Sequence, residues 1–145
     1  MAAQAQIPTD ELIKLCAVDN ELFEKTFFPK TVRQPNAPFH ADWWKHLENP
    51  KLRYQSLVCF RDSAKTSKLR IFTAKRIAYN LSRTILYIGA SEKHAVRSIR
   101  WIKARIEEKI GAGGVKRRER LAEVFDLKPG AKWTDEEIEI IHGID

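Results

Sequence analysis

A lysine and a threonine side by side, after a short polar loop, are the residues in this chain best suited to phosphate chemistry. In Cys59-Phe-Arg-Asp-Ser-Ala-Lys-Thr66, Lys65 and Thr66 fall where the pattern G-x-x-x-x-G-K-[ST] places its lysine and hydroxyl. There the lysine reaches the β- and γ-phosphates of a nucleotide and the hydroxyl meets Mg²⁺. Cys59 and Ala64 replace the two glycines. Alanine is small enough for close backbone approach, provided that position 64 does not need a positive φ. Backbone N–H groups at a helix start would add to the grip. Arg61 is placed to stabilise charge on a transferring phosphoryl group, so Arg61 and Lys65 are the candidate catalytic residues. Asp62, Ser63, Ala64 and Ser67 complete the candidate cradle. An ordinary strand-to-helix connection with a surface lysine, and an Arg61–Asp62 surface pair, are the open alternatives.

The elements around the loop follow from periodicity. Residues 9–28 read as one or two short helices, with Thr9 and then Asp19 or Asn20 as caps and Pro29 as the break. Residues 29–39 form a proline-rich connection. A helix from about His40 to Glu48 carries Trp43, Trp44 and Leu47. One of these tryptophans belongs to the core; the other is free for an adenine site or a subunit contact. Tyr54–Phe60 reads as a strand whose second half is continuously apolar, the mark of burial on both faces. A helix over Ser67–Leu81 has Ile71, Ala74, Ile77, Ala78 and Leu81 on one face. A second strand spans Thr84–Ile88. Gly89-Ala90-Ser91 makes a turn, with Ser91 as a possible cap. A helix over Glu92–Ile110 follows, with Val96, Ile99, Ile102, Ile106 and Ile110 as its stripe. Gly111–Gly114 is a break, and Val115–Phe125 reads as one more short helix. Lys128-Pro129-Gly130 reads as a turn, and Glu137–Ile141 as a strand or a helix start.

Strand, loop, helix, strand, helix is the grammar of a parallel α/β sheet. The expected fold is therefore α/β, a partial P-loop NTPase-type parallel sheet with flanking helices, preceded by a helical lead-in. The family resemblance given below implies that residues 1–50 form the lead-in and 51–145 the incomplete ATPase-type domain. Ligands in such sheets sit at the C-terminal strand ends, which points to residues 60–67 and 89–92.

Charge agrees with a phosphate partner. The net charge is +7, but residues 61–120 hold 17 Lys/Arg against 5 Asp/Glu, a balance of +12. The remainder carries −5, with 9 Lys/Arg against 14 Asp/Glu. A central basic block suits nucleic acid or nucleotide; solvated helix faces are the plainer reading. Arg97, Arg100 and Lys103, with Lys116, Arg117 and Arg118, are the candidates for sequence-independent DNA backbone contacts. Two cysteines, Cys16 and Cys59, exclude a disulfide scaffold. The four histidines lack ligand spacing, so no metal site is expected from them. No run approaches the ~20 apolar residues of a membrane span, so no membrane partner is expected.

Four segments together resemble the N-terminal part of the ATPase domain of phage terminase large subunits, the motors that package double-stranded DNA. They are LFEKTFFPKTVRQPNAPFHADWWKHLE, LVCFRDSAKTS, ILYIGASEKHAVRSIRWIK and LKPGAKWTDEEIEIIHG. The resemblance implies ATP and Mg²⁺ as cofactors, Lys65 and Thr66 as phosphate and metal residues, and Arg61 as the γ-phosphate arginine. It implies an adenine contact near Phe39 and His40, with Gln34 and Gln55 as weaker candidates. It also implies double-stranded DNA, a terminase small subunit and a portal protein as partners, homo-oligomeric assembly, and a bacteriophage or prophage protein in the host cytoplasm. The family's acidic strand end and nuclease domain lie farther along than Asp145. The chain is thus expected to be a fragment that binds ATP weakly and hydrolyses it poorly. The rival readings are a non-catalytic basic nucleic-acid-binding module and another ATPase of helicase-like type.

Overall fold

The computed structural model describes residues 7–108 and 120–143. Within them lie six helices and two strands: α1 (Thr9–Val18), α2 (Asn20–Phe27), α3 (Pro38–Leu47), α4 (Lys65–Ala78), α5 (Glu92–Glu107), α6 (Leu121–Val124), β1 (Leu127–Trp133) and β2 (Ile138–His142). The strands pair antiparallel in a two-stranded sheet. The molecule is mostly helical, and the expected parallel α/β sheet is not formed.

The correction centres on two segments. Residues 55–60 and 84–89 have no place in any ladder. Each alternates, with Leu57, Cys59, Ile85 and Tyr87 turned partly inward and their neighbours outward. Val58 is 93% exposed and Ile88 81%. A strand buried on both faces needs a neighbour on each edge and a layer on each face. Nothing among the described residues supplies these, so the apolar run Leu57–Phe60 stays unpaired. Lys128-Pro129-Gly130, read as a turn, lies inside β1. There Pro129 stands opposite Ile140 in a sheet that has only edge strands, where a missing N–H is tolerated. The strand reading of Glu137–Ile141 holds as β2.

The helices begin and end for local reasons. The Asp19 carboxylate accepts the Leu22 N–H at 2.9 Å and caps α2. Pro38 opens α3, where its missing N–H costs nothing. α4 ends at Ala78, short of Leu81. The N–H of Asn80 bonds the Ile77 carbonyl and that of Leu81 bonds Arg76, with Asn80 left-handed at φ 51°. This closure turns Leu81 out to solvent. The stripe of α5 buries Ile102 and Ile106 and half-buries Val96 and Ile99; Ile110 lies outside the described residues. The expected helix over Val115–Phe125 appears as α6 alone, residues 115–119 also lying outside them.

The core gathers Leu12 and Cys16 of α1, Phe23 and Phe27 of α2, Phe28, Trp44, Ile71, Ala74, Ile102, Ile106, Leu121, Phe125 and Leu127. Phe28 stacks on Trp101 with centroids 5.4 Å apart, and Tyr79 meets Phe125 edge-on at 4.9 Å. Two lysines of α4 enter this core. Lys68 bonds Glu24 and Asn36, and the Glu24 carboxylate also accepts from Trp44 Nε1 at 2.9 Å. Lys75 bonds the Ala17 carbonyl, Asn20 and Glu48. These contacts fasten α4, and so the loop before it, to the N-terminal helices. No helix among the described residues is long and apolar enough to cross a membrane.

Candidate phosphate-binding loop

α4 starts at Lys65, so Lys65 and Thr66 occupy its first two positions. Residues 59–67 curve around an open cavity of about 470 Å³ and supply its lining among the described residues. The sequence-derived candidates Arg61, Asp62, Ser63, Ala64, Lys65, Thr66 and Ser67 therefore come together. Cys59 and Phe60 also line the cavity.

Ala64 precedes the helix at φ 62°, ψ 18°, in the left-handed region. The condition set by the alanine-for-glycine replacement is thus not met, and Ala64 carries a steric cost that a glycine would not. Asp62 is left-handed as well, at φ 64°, which an aspartate tolerates better than most residues. Two left-handed residues flanking Ser63 bend the chain into a concave loop of the kind that gathers backbone N–H groups around an anion.

No side chain caps α4. The first backbone bond at its start runs from the Lys68 N–H to the Ala64 carbonyl at 2.9 Å. The N–H groups of Lys65, Thr66 and Ser67 are left for an external acceptor. They carry the positive end of a 14-residue helix. The side chains of Arg61, Lys65 and Thr66 are exposed and make no hydrogen bond or ion pair within the described residues. Asp62 is not paired with Arg61, so its carboxylate opposes an anion in the cavity.

Behind the loop stands the start of α3. His40 is buried and contacts the Ser63 carbonyl through Nε2 at 2.9 Å. The ring of Phe39 lies 5.2 Å from Trp43 and 5.6 Å from Phe60. Trp44 is the core tryptophan and Trp43 the half-buried one. Phe39 thus belongs to an aromatic rim beside the loop, and His40 belongs to its support. The family resemblance implied a base contact near both residues, and no sequence signal pointed to the His40–Ser63 bond. Gln55 is committed elsewhere, donating to the His46 carbonyl at 2.7 Å. No group of three or more His, Cys, Asp or Glu side chains suited to a metal occurs among the described residues. A cation here would rest on the Thr66 hydroxyl and on the phosphates it accompanies, as Mg²⁺ commonly does.

The candidate DNA face is less free than its sequence suggests. Arg97 is exposed, but Arg100 pairs with Asp135 at 2.8 Å and Lys103 reaches the same carboxylate at 3.7 Å. Lys103 also lies over the Trp133 ring, 5.7 Å from its centroid. Lys116, Arg117 and Arg118 lie outside the described residues.

No family model, no curated protein and no solved structure matches the chain.

Proposed function

We propose that residues 59–67 bind the phosphates of ATP with Mg²⁺. Lys65 and the uncapped N–H groups of α4 take the phosphate oxygens, Thr66 takes the metal ion, and Arg61 takes the terminal phosphate. The observation that carries this reading is the coincidence of Lys65-Thr66 with an uncapped helix start, behind a loop bent by two left-handed residues around its own cavity. A phosphate reads N–H groups and charge, so the loop does not depend on a parallel sheet for its chemistry. Phe39, Trp43 and Phe60 offer rings beside the loop for a base to stack on.

The wider reading rests on the resemblance alone. It makes the chain part of a terminase-type ATPase that moves double-stranded DNA into a procapsid, in the host cytoplasm, with the small subunit and portal protein as partners. The rival reading, a basic nucleic-acid module, rests on the charge of residues 61–120; among its described candidates Arg97 is exposed, and Arg100 and Lys103 pair with Asp135.

Calorimetric titration with Mg-ATP tests the site. Lys65→Ala is expected to weaken binding tenfold or more, the rough worth of a charge-assisted contact. Equal binding by both proteins overturns the assignment.

A further inference from the structure

The peptide joining Ser63 to Ala64 lies between the two left-handed residues of the loop, Asp62 and Ala64. Neither is glycine, so the surrounding structure must hold the backbone there. Among the described residues, one side chain from outside the loop hydrogen-bonds it, and that side chain is His40.

The geometry fixes the state of the ring. His40 Nδ1 accepts the Ala37 N–H at 3.1 Å. In a neutral imidazole the proton then sits on Nε2, and Nε2–H donates to the Ser63 carbonyl at 2.9 Å. Both ends are shielded from water, His40 being 8% exposed and Ser63 5%. His40 does not line the cavity, whereas Ser63 and Ala64 do.

All peptide bonds here are trans. In a trans peptide the carbonyl and the following N–H point in opposite directions. Drawing the Ser63 carbonyl toward His40 therefore turns the Ala64 N–H away from it, to the cavity side. The opposite orientation would aim a carbonyl oxygen at a bound phosphate.

We infer that His40 is a positioning residue, which sets the 63–64 peptide so that the Ala64 N–H joins those of α4 in holding an anionic ligand. The inference rests on the phosphate reading of the loop, and it ties α3 to ligand affinity without His40 touching the ligand. It also specifies the class of ligand favoured: one that presents acceptor oxygens and no hydrogen-bond donors at this point, as a polyphosphate does.

Two measurements test it. In the unmutated chain, long-range ¹H–¹⁵N NMR of the imidazole is expected to show the proton on Nε2; a proton on Nδ1 overturns the inference without any variant. Mg-ATP titration then compares His40→Phe, His40→Gln and Lys65→Ala. His40→Phe fills the space without a donor and is expected to bind about tenfold more weakly. His40→Gln places an amide nitrogen near the Nε2 position and is expected to restore most of the affinity. If Lys65→Ala weakens binding and His40→Phe does not, the positioning role fails while the site stands. If Lys65→Ala binds as the unmutated chain does, the site itself fails, and this inference with it.

Discussion

Lys68 of α4 places its ammonium 2.5 Å from the Glu24 carboxylate of α2, with both side chains almost wholly withdrawn from water. Asn36 and Trp44 supply the remaining bonds to the carboxylate, at 2.8 and 2.9 Å. The carboxylate accepts from three donors and the ammonium donates to two acceptors, the pairing that lets charge stand in a core. Removing one partner strands the other. Lys68→Met is expected to cost about 3 kcal/mol in urea unfolding. Adding Glu24→Leu to that variant is expected to recover part of the loss, since an apolar pair avoids the stranded charge.

Ala64 stands left-handed where only glycine is free of strain. Ala64→Gly is expected to raise stability by ~1 kcal/mol. Mg-ATP binding should persist, because the N–H groups that line the loop are unchanged. A lower denaturation midpoint in this variant would contradict the backbone assignment at position 64.

The two thiols should behave differently. Cys16 is buried without exposure, while Cys59 is half-buried and lines the cavity. An alkylating reagent is expected to modify Cys59 first and to reach Cys16 only on unfolding. Mg-ATP should slow the modification of Cys59. Counting labelled thiols by mass spectrometry with and without nucleotide reads both outcomes.

Burial pushes the Cys16 thiol up from its ordinary range, outweighing the lowering by its hydrogen bond with Thr26. Burial also pushes up the Tyr79 phenol, which donates to the Ile13 carbonyl at 2.5 Å. Both groups hold their protons longer folded than unfolded, so the unfolded chain binds fewer protons at alkaline pH. Their contribution to stability is complete below the unfolded values, ~8.5 for a thiol and ~10 for a phenol, and is lost above them. The urea midpoint is expected to fall between pH 8 and 10.5 on the order of these values. Tyr79→Phe is expected to reduce the upper part of that fall.

Where a local signal was enough, the sequence was readable. Asp19 caps α2 and the loop residues 61–67 gather because they are contiguous, whereas Pro38, expected in the connection, opens α3. The strands expected at 54–60 and 84–88 do not form, because an apolar run reports a need for partners, not their presence. The buried lysines carry a local signal. Lys68, Ile71, Lys75 and Ala78 recur at spacings of three and four, so both lysines sit on the stripe that α4 turns inward. The His40–Ser63 bond joins residues 23 apart, and no local pattern announces it.

The ion pairs between distant parts of the chain share a direction. Lys68 with Glu24, Lys75 with Glu48, and Arg100 and Lys103 with Asp135 each join a cation inside residues 61–120 to an anion outside them. Before folding, the positive stretch 61–120 lies between a balanced segment, with 7 Lys/Arg against 7 Asp/Glu, and an acidic one, with 2 against 7, so its net attraction acts on the C-terminal end. That attraction favours the encounter of Arg100 and Lys103 with Asp135. It acts across solvent, where salt screens it, while the Lys68–Glu24 pair is sheltered once buried. Ionic strength should therefore slow refolding more than it speeds unfolding, so that the charge pattern works as a guide to collapse.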